Sequence, residues 1–466
     1  MHQGVSCPHD IGDSARRLCA HLVEHRHQES VARFTGSGLD YELLCLECAA
    51  APEGAAISMR SICAACFSDF DYWQEYWSDV IGLPRIPEKA STLRFVHEVV
   101  ALPGLANEGL ADLRPVDTAT ARRWIALTTT GRIISIDLSA GDTAVLGQLP
   151  ADLLGGASRP TLHLSFDASL AAAFDAYGEM GAVVNLADGT VTMPLRRDDY
   201  CSAITYFPVA FAVLNGRTIL IHATAWNRLE ISDPLTGALL TERASTAWRR
   251  GETCPPPHYN GTFWGRLCVS PDQERILSSA WGWHPFGFIE IWNLRRWLEE
   301  NVWEPDDGPS KVCPSWRENY WDDPVCWIDE KTLAVWGFGP HRAPMPAVRI
   351  FDIVSGRLAR WFPGPDIAAR EASAPVHDKD RGAAKWAKYV LEPYPLLMFD
   401  QFLFSISKLK GTSVWDIATG ERLMQDGTCM PDRYHPGAKE FLTALPEWSF
   451  RVSRLSGIPL SKGTAT

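Results

Sequence analysis

A loosely repeated unit of short strands and turns extends over most of this 466-residue sequence and limits what the chain can fold into. In each copy an alternating run of apolar residues leads into a turn that contains Gly, and a second apolar run follows. The fourth copy is different, because it continues into a helical pattern. The units recur roughly every 45 to 65 residues. They are 131–141, 181–189, 227–237, 287–294, 348–356 and 411–420.

A small sheet built from one such unit cannot bury both of its faces. Stacking several of these sheets radially buries the faces and leaves only short, protected edges. Alternation within each run fits this arrangement, since one side of each strand meets the next sheet. The sequence therefore predicts a mainly β fold, a β-propeller of about seven blades over residues 91–460. In the Asp-x-x-(Ser/Thr)-Gly stretches, we expect Asp to accept backbone N–H bonds and Gly to supply a positive φ.

Several units also contain a Trp-Asp pair or a looser version of one. These pairs are Trp415-Asp416, Trp292-Asn293, Phe351-Asp352 and Ile136-Asp137. In this feature the chain resembles the WD-repeat family of propellers, over about residues 90 to 455. The resemblance implies that the two ends of the propeller segment complete one blade. Residues 92–101 would then pair with the blade built from residues 434–455.

The first 81 residues have a different character, because six of the 12 cysteines fall within the first 66 residues. Residues 82–90 contain two prolines and mixed charge, which indicates a linker. Two Cys-x-x-Cys pairs, Cys45 with Cys48 and Cys63 with Cys66, have the spacing of zinc knuckles. Residues 31–34 and 41–44 predict a hairpin before the first knuckle, and residues 67–80 a helix after the second. The module resembles a treble-clef zinc finger, a small α+β fold.

A second set of metal ligands lies earlier in the chain, in the pairs Cys7-x-His9 and Cys19-x-His21. We expect a zinc ion on Cys45, Cys48, Cys63 and Cys66, and a second one on Cys7, His9, Cys19 and His21. His25 and His27 compete for the histidine positions. The alternative for this region is a helix over residues 14–29 with the histidines on its exposed face. Because four protein ligands leave no open position, such zinc ions are structural.

The charge balance argues against nucleic acid as a partner. With 44 basic and 56 acidic residues the net charge is -12, so nucleic acid is not an expected partner. The chain has neither an export signal at its start nor an apolar run long enough to span a membrane. We therefore expect a cytoplasmic protein with no membrane association.

The sequence contains no phosphate-binding loop, no nucleophile elbow and no His-Glu-x-x-His motif. Its most distinctive feature is aromatic, because ten of the 19 tryptophans lie between Trp264 and Trp336. Residues 303–321 form a predicted loop with several acidic residues. Tryptophans on such loops are typical of binding hot spots, which makes Trp303, Trp316 and Trp321 candidate partner-binding residues. The alternative is that these rings fill gaps between blades.

These observations favour a non-catalytic scaffold that binds protein partners through the propeller loops and the zinc module. The alternative is an enzyme, a hydrolase or dehydrogenase, with its site in the propeller channel. Two or more of the single histidines meeting carboxylates there would favour the enzyme, whereas a channel of small and apolar residues would favour the scaffold. The histidines in question are His163, His222, His258, His284 and His341.

Overall fold

The structure is a computed structural model, and it describes most of the chain. The described residues are 16–24, 30–34, 41–52, 54–63, 79–81, 85–102, 105, 108–117, 122–153, 159–248, 251–283, 286–318, 324–338, 344–364, 396–407 and 410–458. Within these ranges the chain is mainly β. No helix among them combines the length and the apolar character that crossing a bilayer requires.

The N-terminal residues form a five-stranded sheet with the order β4-β1-β3-β2-β5. Its strands are β1 (Arg16–Cys19), β2 (Ser30–Phe34), β3 (Tyr41–Cys45), β4 (Met59–Ile62) and β5 (Asp79–Ile81). Two short helices accompany them, α1 (Ala20–Glu24) and α2 (Leu46–Ala49). The antiparallel pair β2–β3 confirms the predicted hairpin.

The long helix considered for residues 14–29 is wrong for its described first half. Residues 16–19 are a strand because β1 pairs with both β3 and β4, which buries Leu18 between them. The helix predicted for residues 67–80 lies mostly outside the described residues, and residues 79–81 are strand β5, parallel to β2.

Seven further sheets, which we number I to VII, follow in the described residues. Strand β6 (Arg94–Ala101) comes first in the chain but belongs to the last of them. Sheet I contains β7 (Leu110–Pro115), β8 (Arg123–Thr128), β9 (Arg132–Asp137) and β10 (Asp142–Gln148). Sheet II contains β11 (Pro160–Leu164), β12 (Leu170–Asp175), β13 (Met180–Asn185) and β14 (Val191–Arg196). Sheet III contains β15 (Val209–Leu214), β16 (Arg217–Ala225) and β17 (Arg228–Ser232).

Sheet IV includes two short helices between its last strands. It contains β18 (Phe263–Val269), β19 (Arg275–Gly282), β20 (Phe286–Asn293), α3 (Leu294–Glu299), α4 (Glu304–Asp307) and β21 (Val312–Glu318). Sheet V contains β22 (Val325–Trp327), β23 (Thr332–Phe338), β24 (Pro344–Asp352) and β25 (Arg357–Pro363). Sheet VI contains β26 (Leu396–Phe399), β27 (Leu403–Ser407), β28 (Gly411–Trp415) and β29 (Arg422–Asp426). Sheet VII contains β30 (Arg433–His435), β31 (Glu440–Leu445), β32 (Ser449–Ser456) and β6.

The six four-stranded sheets and the three-stranded sheet III are antiparallel meanders, an architecture consistent with a β-propeller. Their first strands contact one another: β7 contacts both β11 and β30, β15 contacts β11 and β18, and β22 contacts β26. The hydrophobic clusters extend across sheet boundaries in the same way. One cluster joins apolar residues of sheets II, III and IV, and another joins sheets VII and I.

The predicted turn chemistry is confirmed. Asp416 Oδ1 accepts hydrogen bonds from the backbone N–H groups of Ala418 and Thr419, and Gly420 N–H donates to the Asp416 carbonyl at 2.8 Å. Gly420 has a φ of 75°, the left-handed conformation that Gly adopts without strain. The same pattern ends β9 at Asp137 and β17 at Asp233.

Strand β6 pairs with β32 along its whole length, from Arg94 opposite Ser456 to Ala101 opposite Ser449. Residues 92–101 therefore extend the final sheet, as the sequence predicted. Charged side chains reinforce the pairing. The buried carboxylate of Glu440 on β31 accepts hydrogen bonds from Arg454 at 2.7 Å and from Arg122, next to sheet I, at 2.8 Å.

In the segment 303–321, the described part, residues 303–318, is not the long irregular loop that the sequence suggested. Helix α4 begins at Glu304, and β21 pairs with β20 from Phe286 to Ile291. Glu304 is fully buried and accepts a hydrogen bond from Ser310 N at 2.8 Å. Asp306 is also buried, 3.3 Å from the Arg243 guanidinium. These two carboxylates therefore hold the segment in place and do not form a surface patch.

Removing residues 430–466 should destabilise all seven sheets, because β6 loses its partner and the cluster shared with sheet I loses its apolar side chains. Those lost are Leu442, Trp448, Phe450 and Val452. Each large buried side chain contributes about 1.5–3 kcal/mol, against a typical net stability of about 5–15 kcal/mol. Thermal melting should show a large drop for the whole transition.

The matched control ends at residue 458 and removes none of the described residues. It should melt like the full chain. A 1–429 chain that also melts like the full chain would contradict the pairing of β6 with β32.

Candidate metal site and binding surfaces

Four side chains with metal-binding atoms come together at one edge of the N-terminal sheet. They are Cys19, His21, Cys45 and Cys48, and one ligand atom from each lies within 4.8 Å of all the others. The Cys45 and Cys48 sulfurs are 3.5 Å and 3.3 Å from His21 Nδ1. Cys19 Sγ accepts a hydrogen bond from the Cys45 backbone N–H at 3.2 Å.

The backbone explains why these residues meet. Cys19 ends β1 and Cys45 ends β3, and the two strands are parallel neighbours, so both end at the same sheet edge. Each strand continues into a short helix that carries the second ligand of the pair, His21 on α1 and Cys48 on α2. The buried side chain of Leu22 on α1 packs into the core of this module.

The four atoms fit a tetrahedral zinc ion. Zinc–sulfur bonds of about 2.3 Å and zinc–nitrogen bonds of about 2.0–2.1 Å put tetrahedral ligand atoms roughly 3.5–3.8 Å apart. The observed sulfur–nitrogen distances lie close to that range. Three thiols and one imidazole form a closed set, with all four corners filled by protein. Such an ion would hold the two strand ends together and would not take part in catalysis.

The thiols and the imidazole influence one another's protonation. Burial raises the pKa of Cys19, and burial together with the neighbouring Cys45 raises the pKa of Cys48 to about 12. Burial also acts to raise the pKa of Cys45, but hydrogen bonds from Cys48 N–H and from His21 outweigh it and lower this pKa. The hydrogen bond to Cys45 raises the pKa of His21. Zinc binds thiolates, so loading the site releases protons and acid weakens it.

This grouping differs from the one that the spacing suggested. The structure joins one pair from each predicted set, Cys19 and His21 with Cys45 and Cys48, because the parallel pairing of β1 and β3 decides which strand ends are neighbours. Cys63 is described but lies outside this group of four. Cys7, His9, Cys66, His25 and His27 lie outside the described residues. A second zinc site among the remaining ligands stays a prediction.

A second group of polar residues lies on the first strands of the sheets and in the segment just before β15, and we call it the arginine cluster. It comprises Asp112, Arg114, His163, Tyr206, Arg266 and Arg433. Asp112 on β7 is buried and accepts four hydrogen bonds. Two come from Arg114 at 3.1 Å and from Arg433 on β30, and two from the backbone N–H groups of Leu113 at 2.8 Å and Leu162 at 2.9 Å. This one carboxylate thereby connects sheets VII, I and II.

Tyr206 connects the other members of the arginine cluster. Its hydroxyl lies 3.3 Å from Nε2 of His163 on β11, and the guanidinium of Arg266 on β18 lies over its ring, 4.8 Å from the centroid. Burial, together with the charges of Arg114, Arg266 and Arg433, lowers the pKa of His163 to about 3. The imidazole is therefore neutral at physiological pH, in a positive local potential.

Two other single histidines that the structure describes, His222 and His258, do not join this group. His222 is buried beside Ser232 with an Nε2–Oγ distance of 3.0 Å, and burial lowers its pKa to about 4. His258 interacts with Asp307 and stacks on Trp303. His284 and His341 lie outside the described residues. Of the single histidines considered from the sequence, His163 is the one described residue in the arginine cluster, beside the carboxylate of Asp112, so the convergence of two of them that would favour an enzyme is not observed among the described residues.

A Ser–His–Asp arrangement occurs between sheets VI and VII, but its geometry is structural. His97 Nδ1 is 2.8 Å from Ser453 Oγ, and His97 Nε2 is 3.9 Å from Asp426. Ser453 is fully buried between paired strands, so its oxygen is closed to a substrate. The three residues link β6, β32 and β29.

Aromatic side chains form a continuous surface where sheets II, III and IV meet, which we call the aromatic platform. It consists of Tyr200, Trp226, Phe263, Trp281 and Trp283. Phe263 and Trp281 are buried and stacked, with centroids 3.9 Å apart. Tyr200 is 47% exposed and Trp283 58% exposed. The platform therefore has a rigid, buried base and two exposed rings.

The two predicted binding tryptophans that the structure describes, Trp303 and Trp316, do not belong to the platform. Trp303 is half-buried between His258, at 4.3 Å between centroids, and the Arg243 guanidinium. Trp316 is half-buried on β21 beside Phe286. Trp321 lies outside the described residues. Their role in partner binding stays a prediction, and the grouping of the aromatic platform depends on loops that meet only after the sheets pack.

No family model matches this sequence, and no curated protein is similar to it. Among solved structures, it is similar to a chain in the crystal structure of a mitotic checkpoint complex. The two chains share 10% identity over 80% of this chain and 96% of the other, with a TM-score of 0.46. A similarity at this level says nothing about function.

We predict that the full chain, purified without chelator, contains zinc, and that Cys45→Ser lowers the content by one equivalent per chain. A hydroxyl is a much poorer zinc ligand than a thiolate, and Cys45 is central to the cluster. Metal analysis by mass spectrometry measures the content directly.

Cys254→Ser, at an exposed cysteine outside the module, is the matched control and should keep the full zinc content. Wild-type protein without zinc, or a Cys45→Ser variant with an unchanged content, would rule out this site.

Proposed function

We propose that this protein is a non-catalytic scaffold that binds a protein partner through the aromatic platform. In this proposal sheets I to VII are the seven blades of a closed, WD-repeat-like propeller over residues 91–460. Residues 1–81 are a zinc-stabilised module with a second docking surface, and residues 82–90 are the linker. The cytoplasmic location and the lack of nucleic-acid binding stay predictions from the sequence.

The exposure of Tyr200 and Trp283 on a buried aromatic base is the observation that carries this proposal. Large rings held rigidly at a surface lose little conformational entropy on binding and contribute much contact area, which is why hot spots are rich in them. The base is itself fixed, because the Trp281 indole N–H donates to Thr205 Oγ1 at 3.0 Å. The backbone N–H of Trp226 donates to Asp198 Oδ1 at 2.9 Å.

The position of the platform also supports a binding role. Tyr200 precedes β15, Trp226 lies between β16 and β17, and Trp283 follows β19. In antiparallel meanders these connections all lie at the same edge of the sheets. Loops of neighbouring blades therefore contribute to one surface, which is how a rigid scaffold presents binding residues. Electron-rich rings suit a partner segment with apolar or cationic side chains.

Trp283→Ala combined with Tyr200→Ala should remove the partner without unfolding the scaffold. Truncating a hot-spot tryptophan typically costs about 2 kcal/mol or more, roughly thirtyfold in affinity. Both side chains are exposed, so the melting temperature should change little. Quantitative affinity capture from cells, with melting of each variant, measures both effects.

Phe166→Ala is the matched control. Phe166 is 71% exposed in the turn between β11 and β12, at the opposite edge of the sheets. It should leave the captured proteins unchanged. Equal losses from this control and the double variant would show that the platform is not the binding surface.

A further inference from the structure

The arginine cluster has more positive charge than its carboxylate can neutralise. Both Asp112 oxygens are already shared, Oδ1 between Arg433 and Leu113 N–H, and Oδ2 between Arg114 and Leu162 N–H. Arg114 and Arg433 therefore share the one buried carboxylate, and Arg433 is further balanced by the neighbouring Asp432 and by the carbonyl groups of Leu113 and Asp432. The buried Nε of Arg114 has no hydrogen-bond partner in the described part of the structure.

This surplus is local, because the chain as a whole carries a net charge of -12. Removing charges from water is costly unless they are paired. Burial and the neighbouring Arg433 lower the pKa of Arg114, which reflects the same cost. Arg266 adds a third guanidinium through its contact with Tyr206. A site of this kind gains most from a ligand that brings negative charge.

Solvent can reach the cluster. The side chains of Arg114 and Arg433 each keep 28% of their surface exposed, whereas the Asp112 side chain keeps 4%. A small ligand could therefore contact the two guanidinium groups without displacing Asp112. The planar N–H pattern of arginine matches the paired oxygens of phosphate and carboxylate groups.

We propose that the arginine cluster binds a small, free oxyanion, a phosphate or a carboxylate, through Arg114 and Arg433. The neutral imidazole of His163 and the Tyr206 hydroxyl form the polar wall beside it. The ligand compensates the surplus positive charge and joins the first strands of sheets VII, I and II. This site is separate from the aromatic platform and does not depend on it.

Isothermal titration of the full chain with inorganic phosphate, and separately with succinate, tests the proposal at an ionic strength held constant with sodium chloride. We expect saturable binding of at least one of the two at one site per chain. Binding of phosphate alone, succinate alone or both identifies which oxyanion the cluster accepts. Absence of saturable binding by both at millimolar concentration would overturn the proposal.

Arg114→Gln should weaken this binding roughly tenfold or more, because it removes a charge-assisted hydrogen-bond donor. Arg114→Lys keeps the charge and should lose less, and it keeps the test interpretable if the glutamine variant melts early. Arg196→Gln, at an exposed arginine on β14, is the control and should bind like wild type. Equal weakening by Arg114→Gln and Arg196→Gln would mean non-specific attraction and would overturn the assignment.

The double variant of Tyr200 and Trp283 should bind the anion normally.

Discussion

The pairing of β6 with β32 is the interaction on which the arrangement of the sheets depends. It joins residues 94–101 to residues 449–456, so the beginning and the end of the repeat region share one sheet. The same junction is held by Glu440, which binds Arg122 and Arg454, and by Asp112, which binds Arg433. The pairing of β6 with β32 places β30 next to β7, and this neighbourhood brings Arg433 to Asp112 in the arginine cluster.

The N-terminal module follows a simpler rule. Parallel neighbours in a sheet end at the same edge, and β1 and β3 each continue into a short helix beyond that edge. Two ligand pairs separated by 23 residues in the sequence therefore meet at one point. Since all four ligands belong to the protein, a zinc ion bound there would supply folding free energy to a small sheet with a limited core of its own.

The sequence predicted the features that depend on local pattern. The strand–turn units, the Asp and Gly turn chemistry, the β2–β3 hairpin and the strand at residues 92–101 all follow from periodicity and turn residues. Features that depend on which strands become neighbours were not predictable in this way. The Cys-x-x-Cys spacing grouped Cys45 with Cys63, whereas the structure groups Cys45 and Cys48 with Cys19 and His21. The density of tryptophans drew attention to residues 303–321, whereas the exposed rings of Tyr200 and Trp283 come together only when the sheets pack. The Asp112-x-Arg114 alternation on β7 was the one available signal for the arginine cluster.

Residue-resolved hydrogen exchange of β6 tests the central claim, that the two ends of the repeat region form one sheet. If they do, the β6 amides that donate to β32 exchange as slowly as those of β32 itself, because both open only when the whole sheet opens. The account predicts matched protection for those β6 amides and for the hydrogen-bonded amides of residues 449–456. Fast exchange of the same β6 amides beside a protected β31–β32 pair would contradict it.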